Sequence, residues 1–279
     1  MKYVSKLLSD TDISIALARA AAERVYGHSR RANPRLAPNS HRYLIQDIPA
    51  FLPHVVFDRY FAPLVGRLPD ITREFQRYLR RAASLRLAEL ITRKPWRQCA
   101  VLLDIPEGSA RKALNVLGRE LSGANLWPIF EDAVDNIAQE WDHRESRVNY
   151  ARRRQLMAQW RLPGAHHAAM CEDLRKLRTL RTQRDPSPLG ILIWSAVTQA
   201  EYRHSPILRD LRRSEGGGRS LAVVIHRLIS SPSPGTASET LLQRIDKYAS
   251  QLATACDRGH VLRVPVRDVL HPDNTGCAR

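Results

Sequence analysis

Apolar residues recur every three or four positions along most of this chain, the spacing of one helix face, and period-two alternation is rare. Residues 72–93 predict a long helix, with Phe75, Leu79, Ala83, Leu87 and Leu90 on one face and the arginines mostly on the others. Residues 11–26 read as a helix capped by Asp10 or Thr11, and the polar stretch 29–40 that follows reads as a linker. Pro49, Pro53, Pro63 and Pro69 then cut the chain into short pieces, leaving a helix over 55–61. A helix over 128–142 turns Ile129, Val134, Ile137 and Trp141 inward. Pro163-Gly164 and the proline-rich 185–188 bracket another over 165–180. Residues 189–202 form a strongly apolar helix, 206–213 a basic one and 237–257 an amphipathic one. The alternating tail 260–269 predicts one short strand, which Pro265 restricts to a sheet edge.

The expected fold is therefore all-α. Residues 1–41 supply an N-terminal helix and linker, and 42–164 a helical domain holding a helix-turn-helix at 95–121. Residues 165–279 form a smaller helical region with flexible breaks at 214–219 and 230–236.

The segment 97–117 has the pattern that two short helices need when they meet over a tight turn. With Ala100 at the closest approach, Cys99 and Leu103 fill the inner face of the first helix and Ile105 plugs the space under the turn. Ala110, Ala113 and Leu117 give the second helix its inner face. Asp104 occupies the turn position that glycine usually takes, because Asp adopts a left-handed backbone at lower cost than most residues. Asp104 is also placed to cap the second helix, with Glu107 completing a capping box, and Pro106 suits that helix's first turn as Pro95 suits the first helix. In this register Glu107, Gly108, Arg111, Lys112 and Asn115 point away from the core. Arg pairs bidentately with guanine and Asn with adenine, so these five are the base-reading candidates for double-stranded DNA. Arg93, Lys94, Arg97 and Gln98 flank the first helix as phosphate-contact candidates, and the run Arg152, Arg153, Arg154 is a second such group.

Charge strengthens this picture. The net charge is +16, from 38 arginines and six lysines against 28 acidic residues, and an excess of this size suits a polyanionic partner. It is concentrated at residues 72–123 (net +6) and 143–184 (net +8), on either side of a purely acidic stretch, 124–142 (net −5). That stretch either docks on a basic zone or is an internally compensated surface.

Three stretches together resemble the TniQ family, target-selection proteins of bacterial transposons. They are Tyr43–Val65 (YLIQDIPAFLPHVVFDRYFAPLV), the helix-turn-helix with its sequel (WRQCAVLLDIPEGSARKALNVLGRE, 96–120), and YARRRQLMAQWRLP (150–163) followed by IWSAVTQAEYRHSP (193–206). The resemblance implies recognition of a target DNA or targeting complex and recruitment of transposition machinery, such as a transposition ATPase. The Cys-rich zinc elements common in that family are missing from this sequence.

Catalytic patterns are incomplete. His260 and Arg263 match an HxxR fragment of tyrosine recombinases, but no tyrosine follows them. His143 and Glu145 match an HxE pattern without the PCxxC that would complete a zinc site. There is no GxSxG, P-loop or HExxH, so the expectation is a non-enzyme. Cys99, Cys171, Cys256 and Cys277 are scattered without a CxxC pair. His167 and Cys171 share a helix face but lack two further ligands, so no metal or other cofactor is expected. Trp141, Trp160 and Trp194 read as core anchors. The N-terminus lacks the apolar core of a signal peptide, and the longest uncharged run, 188–200, is too short to span a bilayer, so a cytoplasmic protein is expected, with no membrane partner. A helix-turn-helix transcriptional regulator and a non-catalytic helical adaptor are the alternative readings.

Overall fold

Prolines and side-chain caps begin most of the helices. The computed structural model describes residues 41–68, 72–145, 147–172, 187–213, 217–230 and 235–259. Eleven α-helices and two short 3-10 turns account for the regular structure among them, with no strand, so the fold is all-α. The sequence-predicted helix at 11–26, the linker at 29–40 and the edge strand at 260–269 lie outside the described residues, as do 173–180 of the helix expected over 165–180.

The chain divides into two compact units after Val148. The first begins with a 3-10 turn, Ile45–Asp47, followed by α1 (His54–Val65), which starts after Pro53. Helix α1 buries Phe57, Phe61 and Leu64, spaced four and three residues apart, on α5 (Trp127–His143). Phe57 and Phe61 stack at 5.1 Å, and Phe61 meets Phe130 at 5.7 Å. Val134, Ile137 and Trp141 are buried as the periodicity requires, whereas Ile129 is only half-buried and Phe130 takes the inward place beside it.

Helix α2 (Arg73–Thr92) starts at Thr72, whose hydroxyl accepts from Phe75 N at 3.1 Å. It is the centre of the unit, packing on α3 (Trp96–Leu102), α4 (Glu107–Gly123) and α5. Surrounded in this way, it is not a helix with one wet arginine face. Arg80 Nε donates to Leu52 O at 2.6 Å, and Arg81 Nη1 to Ser109 O at 2.8 Å. Arg86 Nε lies 3.0 Å from both oxygens of Glu131, and its Nη1 reaches Glu89 at 3.1 Å.

The acidic helix α5 is thus joined to the basic α2. Glu140 takes Arg59 at 3.2 Å together with Arg144 and Tyr60, and Asp142 takes His41 Nδ1 at 2.7 Å and Arg42 N at 2.6 Å. Much of its negative charge is consumed within the fold.

In the second unit Asn149 caps α6 (Tyr150–Met157) through Arg152 N at 2.8 Å. Helices α7 (Gly164–Met170) and α8 (Pro188–Thr198) follow, then a 3-10 turn, Tyr202–His204. Helices α9 (Pro206–Arg213), α10 (Gly217–Ser230) and α11 (Ala237–Arg258) complete the unit. Helix α8 is buried almost all round, against α6, α10 and α11. A Cβ at Gly190 would sit 3.4 Å from Leu162 Cβ, so the absence of a side chain permits this close approach.

Two boundaries differ from the sequence reading. The division falls at 148/149 instead of 164/165 because α6 packs on α8 and α11, far downstream. The break expected at 214–219 is a helix from Gly217 onward, while 214–216 and 231–234 lie outside the described residues. Burial of Leu221, Ile225 and Leu228 at helical spacing offsets the roughly 1 kcal/mol per glycine that a helical start costs.

Candidate nucleic-acid interface

Helices α2 and α3 are joined by only three residues, Arg93, Lys94 and Pro95. Arg93 closes α2 in the left-handed region (φ 57°), and Pro95 precedes α3 in an extended conformation. The Cys99 thiol donates to Lys94 O at 3.3 Å and lies 3.4 Å from Thr92 Oγ1, which ties this corner to the start of α3. Burial pushes the Cys99 thiol up from its ordinary range, so it stays protonated and inert.

The turn between α3 and α4 has two diagnostic hydrogen bonds. Ile105 N donates to Ala100 O at 2.8 Å and Asp104 N to Val101 O at 3.1 Å, the 6→1 and 5→2 pair of a Schellman motif. Asp104 holds the left-handed position with φ 56°. The N-cap residue of α4 is Pro106, with no side-chain cap bond, so the expected Asp104 cap and Glu107 capping box are not what starts this helix. The backbone carbonyl of Pro106 does so, accepting from Ser109 N and Ala110 N at 2.9 and 3.0 Å.

Cys99, Ala100, Leu103, Ile105, Ala110, Ala113 and Leu117 are all buried, and Leu121 extends the stripe. Ala100 is 1% exposed where α3 meets α4.

The opposite side of the pair is open. Glu107, Gly108, Arg111 and Lys112 are exposed on the first turns of α4, and a Cβ at Gly108 would touch nothing within 4 Å. Arg93, Lys94, Arg97 and Gln98 are exposed at the start of α3. Arg97 Nε meets Glu107 Oε1 at 3.3 Å across the two helices. Lys112 lies over the Tyr78 ring at 5.3 Å and 3.7 Å from Glu74; the Tyr78 hydroxyl first, and then Glu74, raise its pKa. Arg111 has no ion-pair partner among the described residues. Asn115 is only half-buried, but its Oδ1 is enclosed and accepts no hydrogen bond among the described residues. In this rotamer the acceptor that adenine would need is turned away from solvent.

Two features of this face were missed at the sequence level. Val101 and Leu102, at the end of α3, are 79% and 40% exposed. Their signal was available, since they fall between the inward positions Ala100 and Leu103. Arg119, two turns beyond Arg111, is exposed and pairs with Glu120 at 2.8 Å.

The three consecutive arginines of α6 go separate ways. Arg152 is exposed, and its Nη2 would lie 2.7 Å from a Cβ at Gly259. Arg153 forks onto Asp257 at 2.8 and 2.6 Å and donates to Val197 O at 3.2 Å. Arg154 is buried. Only Arg152 of this run stands exposed.

His166 Nδ1 lies 2.7 Å from the Tyr248 hydroxyl, and His167 and Cys171 are buried in their unit. Among the described residues no three His, Cys, Asp or Glu side chains group as a metal site, and no helix is long and apolar enough to cross a membrane. Trp141 and Trp194 are core residues, while Trp160 is half-buried.

No protein-family model, curated protein or solved structure matches this chain.

Proposed function

We propose that this chain binds double-stranded DNA by laying the first turns of α4 in the major groove while the start of α3 lies along the phosphate backbone. By its resemblance to the TniQ family, we read its role as target selection in transposition, with a transposition ATPase or another targeting protein as its partner. The observation that carries the DNA reading is the α3–α4 pair itself. A tight Schellman turn and a buried alanine bring two short helices together, and their outer side carries exposed cations. Arg111 supplies a donor fork suited to guanine O6 and N7, and Arg93, Lys94 and Arg97 supply phosphate contacts.

The test is a titration of labelled duplex at several salt concentrations. The three phosphate-contacting cations, each releasing a counterion, give a slope of log K against log salt of about −2.7, at ~0.9 per phosphate. A flat salt response, or no binding at low salt, overturns the proposal.

The exposed Val101–Leu102 pair favours a second reading, a protein adaptor whose apolar contact lies at the end of α3. That reading predicts a protein partner whose binding Val101→Ser abolishes, and no salt-dependent binding of duplex.

A further inference from the structure

We propose that Glu107 is a specificity residue that restricts the target to an amino-bearing base edge, cytosine first, within two base steps of the guanine taken by Arg111. The inference rests on the DNA reading above. It starts from charge: a carboxylate stands at the first residue of α4, among the exposed Arg97, Arg111 and Lys112. On a face built solely to attract phosphates, such a group lowers affinity.

The geometry gives Glu107 a different use. It is 60% exposed beside Gly108, where nothing crowds the space, and Arg97 holds one of its oxygens at 3.3 Å. The Arg97 guanidinium offsets part of the repulsion from DNA. An ionised carboxylate only accepts hydrogen bonds. In the major groove, cytosine N4 and adenine N6 are the donors, whereas guanine and thymine present acceptors. Facing guanine or thymine, Glu107 would be a desolvated charge set against a lone pair. Facing cytosine, it accepts from N4.

Arg111 is the complementary case, a group with donors alone, one helical turn further along. Four residues of α-helix advance about 6 Å, close to two base steps of 3.4 Å. Glu107 and Arg111 therefore read as a pair of opposite filters, one demanding a donor edge and the other an acceptor edge. With the Asn115 acceptor enclosed and Lys112 paired with Glu74 over the Tyr78 ring, these two carry the discrimination on this face. The structure assigns the chain a short G·C-containing core site.

The experiment is selection from a pool of randomised duplexes with the full chain and with Glu107→Gln and Glu107→Ala, thermal unfolding confirming equal stability. The wild type should enrich cytosine about tenfold at one position, within two steps of an enriched guanine. Glu107→Gln, which can both donate and accept, should convert the cytosine column to adenine. Glu107→Ala should flatten that column, keep the guanine column and bind random duplex more tightly. Unchanged columns in both variants overturn the role of Glu107 while leaving DNA binding standing. No duplex binding by the wild type at low salt overturns the DNA reading itself, and this inference with it.

Discussion

Replacing Arg86 by Met tests whether the acidic helix α5 is held by charge or only by packing. Arg86 Nε sits 3.0 Å from both Glu131 oxygens, and the Glu131 side chain is 10% exposed, so removal takes from a nearly dry carboxylate the cation its two oxygens share. Breaking one side of a buried pair costs about 3–5 kcal/mol. Arg86 itself is 25% exposed, which points to the lower end of that range.

Urea unfolding of wild type and Arg86→Met at pH 7 should therefore differ by about 3 kcal/mol. Adding Glu131→Gln should recover most of the loss at pH 7. A loss below ~1 kcal/mol, or a double variant no more stable than the single one, refutes the argument.

The other expectations concern the α3–α4 face and the second unit. Arg111→Ala should cost about 1–3 kcal/mol against the preferred duplex and relax one base position, whereas Lys94→Ala should weaken all duplexes alike and reduce the salt slope by ~0.9; competition binding on specific and random duplex separates the two. Ala100→Leu should lose about 1–3 kcal/mol in urea unfolding, because three extra carbons enter a contact with no spare room; a neutral result would mean the two helices do not meet there. Arg153→Ala should destabilise by about 2–3 kcal/mol through loss of the Asp257 fork, and Arg152→Ala by under ~0.5, both read by calorimetry; equal effects would contradict the different placement of these neighbours.

Local chemistry settles a good part of this protein. The 3.6-residue period alone calls for an all-α chain, and Thr72 and Ser187 cap helices that the apolar spacing already implies. The inner face of α3–α4 was legible residue by residue, from Cys99 to Leu117, because two helices at a tight turn accept small or apolar side chains in a fixed order. The left-handed Asp104 was legible for the same reason.

The arginines were not. Periodicity places Arg81, Arg86 and Arg153 on the polar side of a helix, but it does not say whether water or another helix lies there. Their partners are 28, 45 and 104 residues away, at Ser109, Glu131 and Asp257. An arginine stem packs like an apolar chain and its head group needs only a carbonyl or carboxylate, so long-range contacts decide between solvent and core. The enclosed Asn115 oxygen and the glycine-led helix α10 were equally hidden, the first by α4's neighbours and the second by burial of Leu221, Ile225 and Leu228. Helix existence and the inward stripe follow from bonds and spacings within a few residues; which of this chain's many cations remain free for a partner was decided by contacts the chain makes only once folded.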